Sequence, residues 1–348
     1  YIECSKDVKT LKRKTSIYDI AKCINVSPTT VSYVINNKGK VSWETRQKVL
    51  KAIEELGFVP DTTARSLSTG KSHLIGLFLP LDNAAVAFTQ NPFYVEFLTG
   101  LEIGIADYDY DIVIGCQKNI NNFGEWVRSR GLDGVIMIGR YPQKTYQIID
   151  KLNIPIVLID VYEEYPEKFY NIRVDDKKGM YDATKYLISK GHTKIGFIGA
   201  PKRNLIDYNR YKGYELAMIE ANLAIEEDYL FDEFSTFDSG LKVGEKLIEQ
   251  RNVSAVVCCA DIIAIGIIRK FNERNLKIPD ELSIVGFDDI QDAKFIYPGL
   301  TTIRQDIRQK GELASRTIMQ HINHQTTNES LISLDLSLVE RESVKENI

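Results

Sequence analysis

Thr29, Ser32 and Tyr33 occupy positions i, i+3 and i+4 of the segment PTTVSYVIN, residues 28–36, so a helix there sets all three on one face. Hydroxyl groups and a phenol on a short helix can meet base edges, and a helix is what the DNA major groove admits. Val31, Val34 and Ile35 fall on the opposite, inward side. The preceding stretch supplies the partner such a helix needs. Ile17, Ile20, Ala21 and Ile24 recur at helical spacing, and the chain then breaks at Asn25, a residue that tolerates the left-handed conformation of a tight turn. Ser27 can cap the second helix, and Pro28 suits its first position because the missing N–H would be unpaired there anyway. An ordinary pair of packed helices has the same periodicity, so the motif alone leaves both readings open.

A third helix is expected from Ser42, with Val49, Leu50, Ile53 and Leu56 on one face, ending at Gly57 with Pro60 beyond. Charge is uneven along the chain. Residues 1–70 hold 12 Lys and Arg against 7 Asp and Glu, a balance of +5, whereas the remaining 278 carry −9. A basic head on an acidic body suits a head that meets phosphate.

Other chemistries find less support. His321 and His324 are three apart on a helical stretch but lack a third metal ligand nearby. Gly196, Gly199 and Ala200 are a fragment of a phosphate loop without its further glycine and Lys-Ser/Thr. His192 sits at a helix end, where the dipole explains it. No Ser/His/Asp set stands in a nucleophile context. Five scattered cysteines (4, 23, 116, 258 and 259) form no disulfide framework, which points to a reducing cytosol. No apolar run approaches the roughly 20 residues needed to span a membrane. The first residues, Tyr1-Ile2-Glu3-Cys4 and then Lys12-Arg13-Lys14, have no apolar signal core, so the sequence as it stands is not expected to open on a signal peptide.

A chain of 348 residues implies two or three domains. From residue 73 onward, apolar strand candidates at 74–80, 111–115, 134–138, 155–160, 194–199, 255–259 and 282–287 alternate with helical stretches. These lie near 93–107, 123–130, 143–152, 176–190, 209–222, 239–250, 260–274 and 306–322. The alternation predicts an α/β body with parallel sheets covered by helices. It is too long for one doubly wound sheet, so two similar lobes with a seam near 161–193 are expected. Ligands in such folds bind outside the carboxyl ends of the strands, here facing a cleft.

These residues together resemble the lac-repressor/galactose-repressor family of bacterial transcription regulators. The head matches through Asp19-Ile20-Ala21, Val26-Ser27, Thr30-Val31-Ser32, Asn36, Thr45-Arg46, Leu56-Gly57-Phe58 and Ala64-Arg65-Ser66-Leu67. The body matches through Asp175, Gly191-His192, Arg210 with Gly213, Pro279 and Gly286-Phe287-Asp288-Asp289, then Leu300-Thr301-Thr302-Ile303 and Leu338-Val339-Glu340-Arg341. The resemblance implies an all-α helix-turn-helix head (15–60), a hinge helix and linker (61–72), and a two-lobed periplasmic-binding-protein-like body (73–340) that dimerises. It places Pro28, Thr29 and Tyr33 at base-reading positions, and Ser16, Ser32, Thr45 and Arg46 at phosphate contacts, which set register without reading sequence. Arg65 and Leu67 fall in the hinge, Leu67 matching the leucine that wedges between base pairs in the minor groove.

For the body, the resemblance assigns Phe93, Tyr94, Asp160, Arg210 and Asp288 to the effector. Carboxylates with one guanidinium suit vicinal hydroxyls, and an aromatic ring can cover a sugar's apolar face. Phe234 and Phe237 are candidates for an aromatic lid. Three positions depart from the family pattern: Tyr33 where many relatives carry Arg, Asp61 where the hinge usually begins with Asn, and Ala260 where an Asn often stands. The expected function is a cytoplasmic, homodimeric, sequence-specific DNA-binding repressor of carbohydrate-utilisation genes. A small ligand, a sugar, controls it, with operator DNA as partner and no cofactor, metal or enzymatic activity. Alternatives are a regulator answering to a purine or a phosphoprotein corepressor, a sugar-binding receptor, and an enzyme acting on sugars or nucleosides.

Overall fold

The computed structural model describes residues 15–35, 39, 41–58, 70–80, 88–116, 120, 122–163, 165, 168–325 and 330–347. The chain falls into two compact units, Tyr1–Ser72 and His73–Ile348. In the first, α1 (Ile17–Cys23), α2 (Pro28–Ile35) and α3 (Trp43–Glu55) close around Ile20, Ala21, Val31, Val34, Val49, Ala52 and Phe58. Local chemistry sets the ends of these helices. The Ser16 hydroxyl accepts from the Asp19 N–H while Asp19 accepts from the Ser16 N–H, a reciprocal cap on α1. Asn25 takes φ 54° at the turn, and the Ser27 hydroxyl accepts from the Thr30 N–H at 3.0 Å. Leu50 departs from expectation and is exposed, because the buried stripe of α3 runs through Val49 and Ala52 instead.

The second unit contains two six-stranded sheets. Its elements in chain order begin with β1 (Leu74–Leu79), α4 (Phe93–Ile105), β2 (Asp111–Cys116), α5 (Phe123–Arg130), β3 (Gly134–Ile138), α6 (Gln143–Asp150), β4 (Ile156–Ile159) and β5 (Tyr170–Val174). They continue with α7 (Asp176–Ser189), β6 (Ile195–Gly199), α8 (Leu205–Glu220), β7 (Leu230–Asp232), α9 (Phe237–Gln250), β8 (Ala255–Cys258) and α10 (Asp261–Glu273). The last are β9 (Ser283–Asp288), β10 (Thr301–Gln305), α11 (Ile307–Ile322), β11 (Leu331–Leu334) and β12 (Leu336–Val339). The first sheet runs β11-β5-β4-β3-β1-β2 and is parallel throughout; the second runs β12-β10-β9-β8-β6-β7, with only β12 antiparallel.

Five strands were not expected from the sequence: β5, β7, β10, β11 and β12. They are short or polar, and none of the residues of the last two is fully buried. The chain also crosses between lobes three times rather than at one seam. It leaves the first sheet after β5, returns from β10 into α11, and crosses again between β11 and β12. That last crossing sets the geometry of the cleft. One residue separates β11, parallel in its sheet, from β12, antiparallel in the other. A nearly continuous strand can do both only if the two sheets turn their carboxyl edges toward each other. α11 follows a strand of the second lobe yet packs on α4, β3, β4 and β5 of the first.

Candidate functional site

In the head unit, α2 presents its amino-terminal turn to solvent. Thr29 and Tyr33 are exposed, Pro28 and Ser32 are half-buried, and Val31 and Val34 are held inside. The Tyr33 ring lies where a Cβ at Gly39 would press on it, and Gly39 adopts φ 73°. Ser16 is tied into the α1 cap, so its hydroxyl faces Asp19 at 2.6 Å. Thr45 is half-buried, with its N–H and hydroxyl both meeting Ser42. Arg46, one residue on, makes no ion pair among the described residues. Ser16, Thr45 and Arg46 thus stand at or near the starts of α1 and α3, where backbone N–H groups and the helix dipole favour an anion. Arg65, Leu67 and Asp61 lie outside the described residues.

In the second unit, the facing carboxyl edges bring together side chains far apart in sequence. Asp160 follows β4 with φ 55°, and Asp288 ends β9 with φ 117°. Such backbone is uncommon for a side-chain-bearing residue and aims each carboxyl off its strand end. Between them lies Lys310, fully buried on the first turn of α11. Its ammonium donates to both Asp160 oxygens, each at 2.8 Å, and to Gln305 Oε1 at 2.6 Å. Gln305 at the end of β10 donates through Nε2 to Asp288 Oδ1 at 2.6 Å. On the same carboxylate side stands Arg210, with Nη2 3.7 Å from Asp288 Oδ1. Its Nε donates to Asp176 Oδ1 at 2.7 Å, Nη1 donates to the Cys259 carbonyl, and its Cζ lies 3.6 Å from the Phe287 ring centre. Tyr162, just past β4, donates to the other Asp176 oxygen. A continuous polar network therefore joins the lobes from Asp160 to Asp176. Asp160, Lys310, Gln305, Asp288, Arg210 and Asp176 are all buried.

Phe93 and Tyr94 open α4 and pack edge to face, with ring centres 5.6 Å apart. The Lys310 ammonium lies 5.8 Å from the Phe93 ring centre. Burial, then the charges of Asp288 and Asp160, push the Tyr94 phenol up to about 12, so it stays a neutral hydroxyl in the field of both carboxylates. Burial pushes the Asp288 carboxyl up to about 7 against the opposing pull of Arg210. Asp160 is also raised by burial, which outweighs Lys310. For Arg210, burial works against the charge, but Asp176 and Asp288 dominate and keep the guanidinium protonated.

All five residues assigned to the effector thus converge on one region of the body. Sequence reasoning missed Lys310, Gln305 and Asp176. A signal for Lys310 existed: with Ile307, Gly311, Ala314 and Ile318 it falls on the buried stripe of α11, and a lysine there requires a carboxylate partner. Several other charged groups serve the fold. Asp289 pairs with Arg304 and Arg341, each at 2.6 Å. Asp261 accepts from the Ile290 N–H and the Thr302 hydroxyl, and Asp207 from the Ala200 N–H. His192 is buried between Ser254 and the Lys345 carbonyl, a tertiary role beyond a helix-end dipole. His321 stacks on Tyr170 with ring centres 3.9 Å apart. Ala260 precedes α10 as its cap residue, and its methyl side chain offers no hydrogen bond. Phe234 is exposed beneath the Arg203 guanidinium.

Comparison with known proteins agrees with this architecture. Residues 16–61 match the family described as bacterial regulatory proteins, lacI family, and residues 184–344 match a periplasmic binding protein-like domain. The chain is 34% identical over 336 residues to the HTH-type transcriptional regulator RegA of Clostridium saccharobutylicum, covering 94% of this chain and 99% of the relative. It is 33% identical over 333 residues to the ribose operon repressor of Haemophilus influenzae, covering 94% and 97%. Among solved structures it is similar to a transcriptional regulator CelR–cellobiose complex, with a TM-score of 0.71 and 25% identity over 95% of this chain and 100% of the other.

Proposed function

The chain belongs to the lacI family of bacterial regulatory proteins, and we propose that it represses carbohydrate-utilisation genes under the control of a sugar bound between the lobes of its body. Effector-controlled, DNA-binding transcriptional repression is common ground with its relatives; the sugar and the residues are our reading. One observation carries it. Asp160, Asp288 and Arg210, the residues that the family resemblance assigns to a ligand, meet at the facing carboxyl edges beside Phe93 and Tyr94. Carboxylates accept from hydroxyls, and the aromatic pair offers an apolar surface to a sugar ring. The CelR relative with cellobiose favours the same ligand class.

A ligand touching both edges fixes the angle between the lobes, and it shifts operator binding only by its differential affinity for the two arrangements. We take the DNA-incompetent arrangement as the favoured one, so the sugar induces transcription. In the head, Pro28, Thr29 and Tyr33 read bases, while Ser16, Ser32, Thr45 and Arg46 hold phosphates; Arg65 and Leu67 act in the hinge. A protein that grips an operator works in the cytoplasm. No helix among the described residues is long and apolar enough to cross a membrane.

The test is to select an operator from random DNA and screen sugars, sugar phosphates and purines for release of the complex. Asp288→Asn keeps the shape of the site and should abolish the response while leaving ligand-free operator binding nearly intact. It is cleaner than Arg210→Ala, which also strands the buried Asp176. A normal response in Asp288→Asn refutes the assignment of the cleft.

A further inference from the structure

Lys310 is the least expected member of the cleft. An ammonium has three donor hydrogens and no acceptor, and here its partners are Asp160 Oδ1, Asp160 Oδ2 and Gln305 Oε1, at 2.8, 2.8 and 2.6 Å. Its side chain is 0% exposed. Arg210, the other cation of the network, is likewise engaged by Asp176, the Cys259 carbonyl and Asp288. The charge balance follows from this pairing. Asp160, Asp176 and Asp288 face Lys310 and Arg210, with the buried carboxyls of Asp207 and Asp261 close behind. Within this described network, three carboxyls face two cations, so it carries no surplus of positive charge. Its remaining hydrogen-bonding capacity suits hydroxyls, which both donate and accept: carboxylate oxygens accept, while Arg210 Nη groups and the Tyr94 hydroxyl can donate. An anion could engage Lys310 only by drawing it off Asp160, leaving a bare carboxylate beside the anion in a poorly solvated site.

We propose that Lys310 is a specificity-determining residue: committed to Asp160 and Gln305, it makes the cleft a receptor for uncharged, hydroxyl-rich effectors and excludes phosphorylated or carboxylated ones. The proposal rests on the reading of the cleft as the effector site. Asp160 is then a neutralised partner that still offers lone pairs to a hydroxyl. Gln305 joins this pair to the second lobe, so the selectivity is built from both sides of the cleft.

Inorganic phosphate is the probe, titrated at constant ionic strength against the full-length protein with the thermal midpoint as readout. Wild type, Lys310→Met, Asp160→Asn and the double variant Asp160→Asn/Lys310→Met are compared, so that phosphate held by the head cancels. Wild type and Lys310→Met should respond identically, because the ammonium is not available. Asp160→Asn, which uncovers it, should gain a saturable rise equivalent to about tenfold or more tighter phosphate binding, and the double variant should lose that rise. A stronger phosphate response in wild type than in Lys310→Met overturns the proposal, as does a folded Asp160→Asn that gains nothing. The first comparison decides the matter even where Asp160→Asn does not fold. No operator enters these titrations. Failure of the effector-site reading appears elsewhere, as effector control that survives Asp288→Asn.

Discussion

Individual side chains divide the work of this protein according to what each can offer. On α2, Tyr33 can make a single hydrogen bond to a base edge and cannot reproduce the two-pronged contact of an arginine with guanine. Substituting Tyr33 with Ala should therefore change base preference at one or two operator positions, whereas Arg46→Ala should weaken all sequences alike and lower the salt slope by about 1. Binding to a randomised operator library at several salt concentrations separates the two, and a uniform loss from the Tyr33 change would remove its reading role. In the body, Asp288 carries a pH signature. Burial raises its carboxyl from 3.8 to about 7, with Arg210, Gln305 and Lys310 opposing and Asp176 acting with burial. The folded state therefore holds this proton more tightly than the unfolded chain does. Its stabilising contribution is complete below about pH 4, declines as pH rises, and is gone above about pH 7. The stability difference between wild type and Asp288→Asn should move in wild type's disfavour across that window and flatten above it. Thermal midpoints taken against pH would show this; a difference moving the other way would contradict the burial argument.

At the scale of elements, the crossing of α4 and α11 decides where the cleft residues stand. Gly100 and Gly311 let the helix backbones approach so closely that a Cβ at Gly311 would run into the Phe97 carbonyl, and one at Gly100 into that of Arg308. Ser315 donates to the Leu101 carbonyl across the same contact, at 2.8 Å. Lys310 is the neighbour of Gly311, so this contact sets the depth of its ammonium. Gly311→Ala should force the helices apart and cost about 1–3 kcal/mol, as overpacking does. Gln309→Ala, on the exposed face of the same helix, should change stability by less than about 0.5 kcal/mol. Equal effects in chemical denaturation would mean that the contact is not tight.

For the whole molecule, operator binding by one short recognition helix is weak, and a near-palindromic site read by two copies is the expected remedy. Val95 and Ile103 on α4 and Phe295 and Tyr297 beyond β9 are exposed apolar side chains, Tyr297 at 87%. The Gln291 N–H donates to Glu96 of α4 at 2.8 Å, which joins these two regions. A second copy covering them would exclude several large apolar groups from water. Tyr297→Asp should shift the protein toward monomer in light scattering, and should weaken binding to a full operator far more than to a half-site. A dimer of unchanged stability would place the interface elsewhere.

The helix-turn-helix was legible from the sequence because its determinants are local: a capping serine, an asparagine suited to the left-handed turn, and apolar residues three and four apart. The alternation of strands and helices was legible for the same reason, since burying one face of each element leaves a periodic trace. Strands such as β10 (TTIRQ) and β11 (LISL) left too weak a trace to find. The resemblance could name Asp160, Arg210 and Asp288, but not what each would touch. Lys310 bonds Asp160 across 150 positions, and Gln305 bonds Asp288 across 17. Those pairings exist because one strand passes from the first sheet into the second and turns their carboxyl edges toward each other. Periodicity can report that a charged side chain is buried. Which charge it meets there depends on how separate elements pack, and that was decided only by the tertiary structure.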